Sequence, residues 1–162
     1  MVKMILCMDL EGNIGRDNDL LFKMKEDMKF FKKQTMNNIV IMGYNTWLSL
    51  DEMPLPNRMN IVMTKETIYG ACSSSDLEGA IRHCEDLPYE DIFIIGGAYV
   101  YNQALELNLV DEILVTVVPT VVEDATVKVK LHLLEEFKEK EVVKTFTNEE
   151  GLEVTIYKMR KE

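Results

Sequence analysis

Histidine is nearly missing from this 162-residue chain: His83 and His132 are the only two, too few for a multi-histidine metal site. The patterns Gly-x-Ser-x-Gly, Gly-x-x-x-x-Gly-Lys-Ser/Thr and His-Glu-x-x-His are absent as well. That removes the usual marks of serine hydrolases, P-loop nucleotide hydrolases and zinc proteases. Cysteine is sparse: Cys7, Cys72 and Cys84 are odd in number, far apart and in no Cys-x-x-Cys pair. They read as small hydrophobes in a reducing compartment rather than a disulfide framework. Positive charge is also short. With 18 Lys and Arg against 28 Asp and Glu, the net charge of −10 argues against a nucleic-acid surface, which depends on clustered bases. Long apolar runs are lacking: Met4-Ile5-Leu6-Cys7-Met8, between Lys3 and Asp9, is too short for a membrane span or a signal-peptide core. A cytoplasmic, monomeric protein without membrane contact is the expectation.

What is present suits a packed core: 47% of residues are hydrophobic, enough for one domain over 1–162 with an internal cleft. No repeat or Pro/Gly/Ser-rich linker divides it. Strand-like runs at 2–8, 38–42, 59–64, 91–95 and 112–118 alternate with helical patterns at 25–35, 44–50, 77–85 and 98–107. Most of the strand runs are continuously apolar, as expected of strands covered on both faces. After Pro119 the pattern changes to two strands, 138–146 and 152–159, around a turn at 147–151. The fold class expected is α/β, a single domain with a central mixed, mostly parallel sheet flanked by helices and closed by a C-terminal antiparallel hairpin. The helix over 77–85 is the best marked locally, with Ser75 and Glu78 as a capping box and Leu77, Ala80, Ile81 and Cys84 on one stripe. The Ser73-Ser74-Ser75 run before it reads as a loop, and His83 as a surface residue.

Among the charged residues, Asp27 stands out. Met24, Asp27, Met28 and Phe31 fall at i, i+3, i+4 and i+7, while Lys25, Lys29, Lys32 and Lys33 lie outward. A carboxylate on the apolar side can bind a cationic or amidine-like group, or it can simply complement the positive end of the helix. The connection over 9–23, with Gly12, Gly15, Leu20 and Phe22, reads as a lid over a ligand or as an ordinary surface loop. Two glycine junctions between a strand and a helix follow, Met42-Gly43-Tyr44-Asn45-Thr46-Trp47 and Ile95-Gly96-Gly97-Ala98-Tyr99-Val100-Tyr101. Each can bring backbone N–H groups to a pyrophosphate or serve only as a tight turn, and the pair suggests a dinucleotide. Trp47 reads first as a packing anchor. Arg58 closes the proline-stiffened Pro54-Leu55-Pro56-Asn57 loop and can grip a carboxylate or stand in solvent. Thr116, inside an apolar strand, needs a partner such as a buried carboxylate or a backbone group.

Taken in order, Asn13-Ile14-Gly15, Asp27 with Phe30-Phe31 and Thr35, Ile41-Met42-Gly43 with Thr46-Trp47 and Ser49, Pro54-Leu55-Pro56 with Arg58, Ile95-Gly96-Gly97 with Tyr101, and Thr116 strongly resemble dihydrofolate reductase. The resemblance implies an NADPH-dependent oxidoreductase that converts 7,8-dihydrofolate to tetrahydrofolate for one-carbon and thymidylate metabolism and binds antifolates. It implies that Asp27 holds the pterin, with Thr116 hydrogen-bonded to it, that Ile5, Leu6, Phe31, Leu50 and Ile95 line an apolar slot, and that Arg58 takes the carboxylate of the substrate's glutamate tail. Leu20 and Phe22 are implied beside the reacting groups. For the cofactor it implies Cys7, Ile14, Gly15, Leu20, Gly43, Tyr44, Asn45, Thr46, Thr64, Lys65, Ile95, Gly96, Gly97, Ala98, Tyr99, Val100 and Tyr101, with a cis Gly96-Gly97 peptide and no metal. The chain departs from the family pattern at Phe22, where Trp is common, at Leu21, where Pro is common, and at Tyr44, where a base often meets the cofactor's 2′-phosphate. Thr64 and Lys65 are then the candidates for that contact. The stretch 123–128 matches the family's Gly-Asp-Thr region loosely. Two alternatives remain: a related nicotinamide-dependent reductase of a pyrimidine or riboflavin-pathway intermediate, against which Asp27, Phe31 and Arg58 argue, or a folate-binding or structural homologue without turnover.

Overall fold

The apolar runs pair side by side because each is too hydrophobic to leave a face in water. A computed structural model describes residues 1–17 and 19–162; Asn18, within the connection read as a lid or loop, lies outside them. In chain order the elements are β1 (Val2–Met8), β2 (Asn13–Arg16), β3 (Asp19–Leu20), α1 (Lys25–Thr35), β4 (Ile39–Gly43), α2 (Tyr44–Ser49), β5 (Met59–Met63), β6 (Cys72–Ser74), α3 (Leu77–Glu85), β7 (Ile92–Ile94), α4 (Ala98–Glu106), β8 (Glu112–Val117), β9 (Val127–Lys128), β10 (Glu139–Thr147) and β11 (Glu153–Arg160). Among the described residues, eight strands form one sheet in the order β10-β11-β8-β1-β7-β4-β5-β6. The run from β8 to β6 is parallel throughout, whereas β11 joins β8 and β10 antiparallel. This is the mixed, mostly parallel α/β sheet with a terminal hairpin that the alternation predicts.

Two hydrophobic clusters sandwich the sheet. One gathers Ile5, Val40, Met42, Val62, Phe93 and Leu114 under Phe30 of α1 and Trp47 of α2. The other gathers Met4, Leu6, Met8, Ile41, Ile94 and Val115 under Leu77, Ile81 and Cys84 of α3 and Val100, Tyr101 and Ala104 of α4. Trp47 is buried, which makes it a packing anchor. Parallel strands give the sheet a defined C-terminal edge, and there β1, β4, β7 and β8 end close to the first turns of α1, α2 and α4. Ligand clefts of open α/β sheets form at such an edge. No helix among the described residues is long and apolar enough to cross a membrane.

Several expectations need correction. The connection over 9–23 is not irregular throughout: β2 pairs with β3 and β9 in a second, three-stranded sheet. Strands this short, with glycine and charge inside them, carry no hydrophobic period to read. The residues Cys72–Ser74 form the edge strand β6, held by β5, where a serine loop was expected. Asp76, not Ser75, occupies the N-cap of α3, without a side-chain cap hydrogen bond, so the capping box does not form. Met28 shares the apolar stripe of α1 yet is 62% exposed, while Phe30 is buried.

Candidate active site

Alternation along a strand decides which side chains reach the cleft. Ile5 lies on the α1 side of the sheet, in the cluster with Leu114, Phe31, Leu50 and Ile95. Cys7 follows Ile5 by two residues and is paired in register with Thr116, so both point the same way. Leu6, expected in the same slot, belongs to the opposite cluster. Its run is apolar at every position, so the sequence carries no mark of which residues face α1.

Over this floor α1 lays Asp27. The Thr116 hydroxyl donates to Asp27 Oδ1 at 2.5 Å, a bond between residues 89 positions apart that answers the need for a partner in an apolar strand. Asp27 sits in the first turn of α1, but its carboxylate is turned across the cleft to β8 rather than spent on the helix end. Burial raises its pKa above the ordinary carboxylate value, against the opposing pull of the Thr116 and Cys7 side chains. Cys7 is pushed the same way, by burial first and then by the Asp27 charge, so it remains a thiol. A half-buried carboxyl with no cation beside it, among the described residues, and a flat apolar surface below it can accept paired N–H groups from a planar heterocycle.

Arg58 is placed by two supports. Its Nε donates to the Pro56 carbonyl at 2.9 Å and its NH1 to Thr35 Oγ1 at 3.0 Å, while Thr35 in turn donates to the Phe31 carbonyl at 2.8 Å. The guanidinium is therefore docked on the end of α1, not loose in solvent. Asn60, unremarked in the sequence, braces that loop: its side chain donates to the Leu55 and Arg58 carbonyls and accepts the Leu55 N–H, all within 3.0 Å. A surface hollow of about 490 Å³ lined by residues 54–60 and 70–72 includes Arg58 but neither Asp27 nor Thr116.

Beside this cleft the two glycine junctions meet. The Gly43 N–H donates to the Gly96 carbonyl at 2.7 Å. A Cβ on Gly43 would press to 3.1 Å on the Val100 side chain, whereas one on Gly97 would meet the Thr46 hydroxyl at an ordinary 3.7 Å; Gly96 is at a positive φ of 118°, which favours glycine. The Gly96–Gly97 peptide is cis. No side chain caps α4, leaving the N–H groups of its first turn directed outward at Gly97, Ala98 and Tyr99. Tyr44, Asn45, Lys65 and Tyr99 are exposed around this edge, and Thr64 is half-buried, its hydroxyl accepting the Glu66 N–H. Val100 and Tyr101, expected to frame a cofactor, are buried behind the turn. The Tyr101 hydroxyl donates to the Ile5 carbonyl at 2.7 Å and its ring packs under Gly96, so it braces the turn and offers no free donor. Ile14 and Gly15 are buried in β2, Phe22 is half-buried, and Leu20 is 66% exposed at the end of the small sheet. Among the described residues no group of His, Cys, Asp and Glu is arranged to hold a metal ion.

The sheet, the carboxylate at its C-terminal edge and the paired glycine turns belong to one small α/β domain with its candidate groups gathered along that edge. Its sequence matches the family described as dihydrofolate reductase over residues 1–161, and the chain belongs to that family. The dihydrofolate reductase of Neisseria meningitidis serogroup A is 41% identical over 97 residues, 58% of this chain and 59% of that protein. That of Bacillus subtilis is 38% identical over 105 residues, 63% of this chain and 61% of the relative. A bifunctional dihydrofolate reductase-thymidylate synthase of Paramecium tetraurelia is 34% identical over 119 residues, 70% of this chain but 25% of the longer protein. The matches thus span about three fifths of these bacterial relatives and a quarter of the ciliate one.

Proposed function

We propose that the protein reduces 7,8-dihydrofolate to 5,6,7,8-tetrahydrofolate with NADPH. The observation that carries this reading is the Asp27 carboxyl, bound by Thr116 above an apolar floor and free of any countercharge among the described residues. Two acceptor oxygens on one face suit the 2-amino group and adjacent ring N–H of a pterin. Ile5, Phe31, Leu50 and Ile95 exclude water around the ring, and Arg58 receives the carboxylate of the glutamate tail. Thr116 fixes the orientation of the Asp27 carboxyl through its hydroxyl.

NADPH, when bound, supplies the hydride. The residues present fit such a dinucleotide: the Gly43 and Gly96-Gly97 turns are joined by the Gly43 N–H to Gly96 carbonyl bond, and the uncapped first turn of α4 suits a pyrophosphate. Ile14, Gly15 and Leu20 are assigned to the nicotinamide side, and Thr64 and Lys65 to the 2′-phosphate. Tyr44 brings no charge there, so the preference over NADH rests on Lys65. On the pterin side, the proton required at N5 is favoured by Asp27, whose raised pKa keeps a protonated fraction available at higher pH than an ordinary carboxyl would. Phe22 has no N–H with which to hold a water at that position. The three unpaired cysteines suit a reducing cytoplasm, and a monomer suffices for every role named.

The test is oxidation of NADPH followed on mixing with dihydrofolate. Loss of NADPH that requires dihydrofolate and is stopped by methotrexate supports the reading. Tight methotrexate binding without turnover would leave only a folate-binding role, and turnover confined to a pyrimidine or riboflavin-pathway intermediate would assign the neighbouring chemistry. A kcat/KM higher with NADH than with NADPH would reverse the cofactor choice.

A further inference from the structure

Asp9 is fully buried, and the proposed reaction gives it no task. It follows β1, the strand that carries Ile5 and Cys7. Its Oδ1 accepts the backbone N–H groups of Glu11 and Asn13, each at 2.9 Å, and its Oδ2 accepts the Asn13 side-chain amide and the Val122 N–H, each at 2.8 Å. Burial alone would raise the pKa of such a group; these four donors outweigh it and keep the carboxyl below its ordinary range. A turn cap would need only the donors at 11 and 13. The Val122 N–H comes from 113 residues away, in the segment that leads from β8 to β9.

These three anchor points are the roots of the small sheet. Asn13 opens β2, and β2 pairs with β9 through Asn13 and Gly15. One carboxylate therefore joins the exit of β1, the entry of β2 and the approach to β9. The sheet it roots carries Ile14, Gly15 and Leu20. We propose that Asp9 is a positioning residue for the cofactor side of the site: acting through Asn13 and Val122, it holds the β2-β3-β9 sheet against the end of β1. The inference rests on the proposed function only in placing the nicotinamide beside that sheet.

All four partners are N–H groups and each oxygen accepts two of them, so an amide at this position sets one NH2 against two donors and keeps at most two of the four bonds. Two variants test the assignment, Asp9→Asn and the milder Asn13→Ala, which leaves the backbone donors in place. Trypsin reports on the sheet directly, because Arg16 is exposed in β2. Cleavage after Arg16 should accelerate about tenfold in Asp9→Asn, the scale of one buried hydrogen bond to a charge, and less in Asn13→Ala. The KM for NADPH should rise by a similar factor, with the KM for dihydrofolate within about twofold of wild type. Cleavage after Arg16 at the wild-type rate in both variants overturns the proposal. So does a parallel rise of both KM values together with cleavage at sites throughout the chain, because that pattern is general unfolding. Should the wild-type protein fail to oxidise NADPH, the proposed function falls, yet the Arg16 cleavage rates still decide whether Asp9 holds the small sheet.

Discussion

Strand β8 manages a carboxylate at each end and treats the two in opposite ways. At its start, Glu112 is 1% exposed and meets Lys3 Nζ at 3.3 Å and Arg160 at 2.7 and 2.8 Å. Burial would raise its pKa, but the hydrogen bond from Arg160 and the charge of Lys3 prevail and hold it below the ordinary range. Four residues on, Thr116 offers Asp27 a single neutral hydroxyl, and there burial prevails and the pKa goes up. The difference lies in the partners: cations favour the ionised form strongly, whereas one hydroxyl and one thiol do not match the cost of losing water. The N-terminal end of the sheet is thus built to keep its charge and stay folded. The C-terminal end is left with a carboxyl whose proton is free to respond to a ligand, which is where perturbed groups mark function.

Replacing the Asp27 carboxyl should have the largest effect. Asp27→Asn keeps size and an oxygen for Thr116 but can no longer exchange a proton. Turnover of dihydrofolate is expected to fall by about 10²–10⁴-fold, the usual scale of acid-base assistance, with the far-UV circular dichroism unchanged. In wild type the rate should decline as pH rises through the raised pKa of Asp27, and the variant should lose that limb. A variant turning over at near wild-type rate at neutral pH would remove the distinction between the two ends.

The structural end should answer in stability alone. Glu112→Gln removes the buried carboxylate that Lys3 and Arg160 share, leaving Lys3 with Asp91 at 3.2 Å and Arg160 half in water and screened. Denaturant titration should show a loss of about 1–3 kcal/mol, the worth of hydrogen bonds to a buried charge. Because the folded pKa lies below the ordinary 4.5, the stabilisation is complete above that value and is lost as pH falls through the folded pKa; the gap between wild type and variant should narrow on acidification. Turnover measured per folded molecule should stay within about twofold, as this end lies away from every residue of the cleft.

Which of these features could be read without coordinates follows from how local each signal is. A carboxylate on an apolar helical stripe is visible at once, and so is the order of the short motifs around it, because each lies within about a dozen residues. Sidedness was hidden wherever a strand is apolar at every position: nothing in Ile5-Leu6 says that Ile5 faces α1 and Leu6 faces α4. The small sheet escaped notice because two- to four-residue strands with glycine have no period. Tyr101 resembled a cofactor residue by motif, but its hydroxyl is committed to the Ile5 carbonyl across the sheet. Asn60 and Asp9 carry a legible mark, a polar residue within or just after an apolar run, where hydrogen-bond satisfaction demands partners from elsewhere.

A smaller change sharpens the contrast at the functional end. Thr116→Val removes the one hydroxyl bound to Asp27 while preserving shape. The hydroxyl favours the ionised carboxyl, so its loss should raise the pKa further and move the descending limb of the rate profile to higher pH. Affinity for dihydrofolate, measured by fluorescence quenching, should weaken about tenfold as the carboxylate loses its orientation. An unmoved limb would mean that Thr116 packs against Asp27 without governing its charge.

The smallest expected effect has the most telling sign. With the folded pKa of Asp27 above the ordinary 3.8, the folded state binds more protons than the unfolded one between those values, so stability falls as pH rises through that window. At neutral pH the ionised Asp27 therefore destabilises the fold, and Asp27→Asn, inactive as it should be, should be more stable than wild type by about 0.5–1 kcal/mol in urea, a common outcome when a strained functional group is relieved. The gain should vanish below about pH 4, where the wild-type carboxyl is already protonated. Glu112→Gln has the opposite sign under the same conditions. Should both substitutions destabilise equally at neutral pH, Asp27 would be one more structural carboxylate, and the division of labour along β8 would be lost.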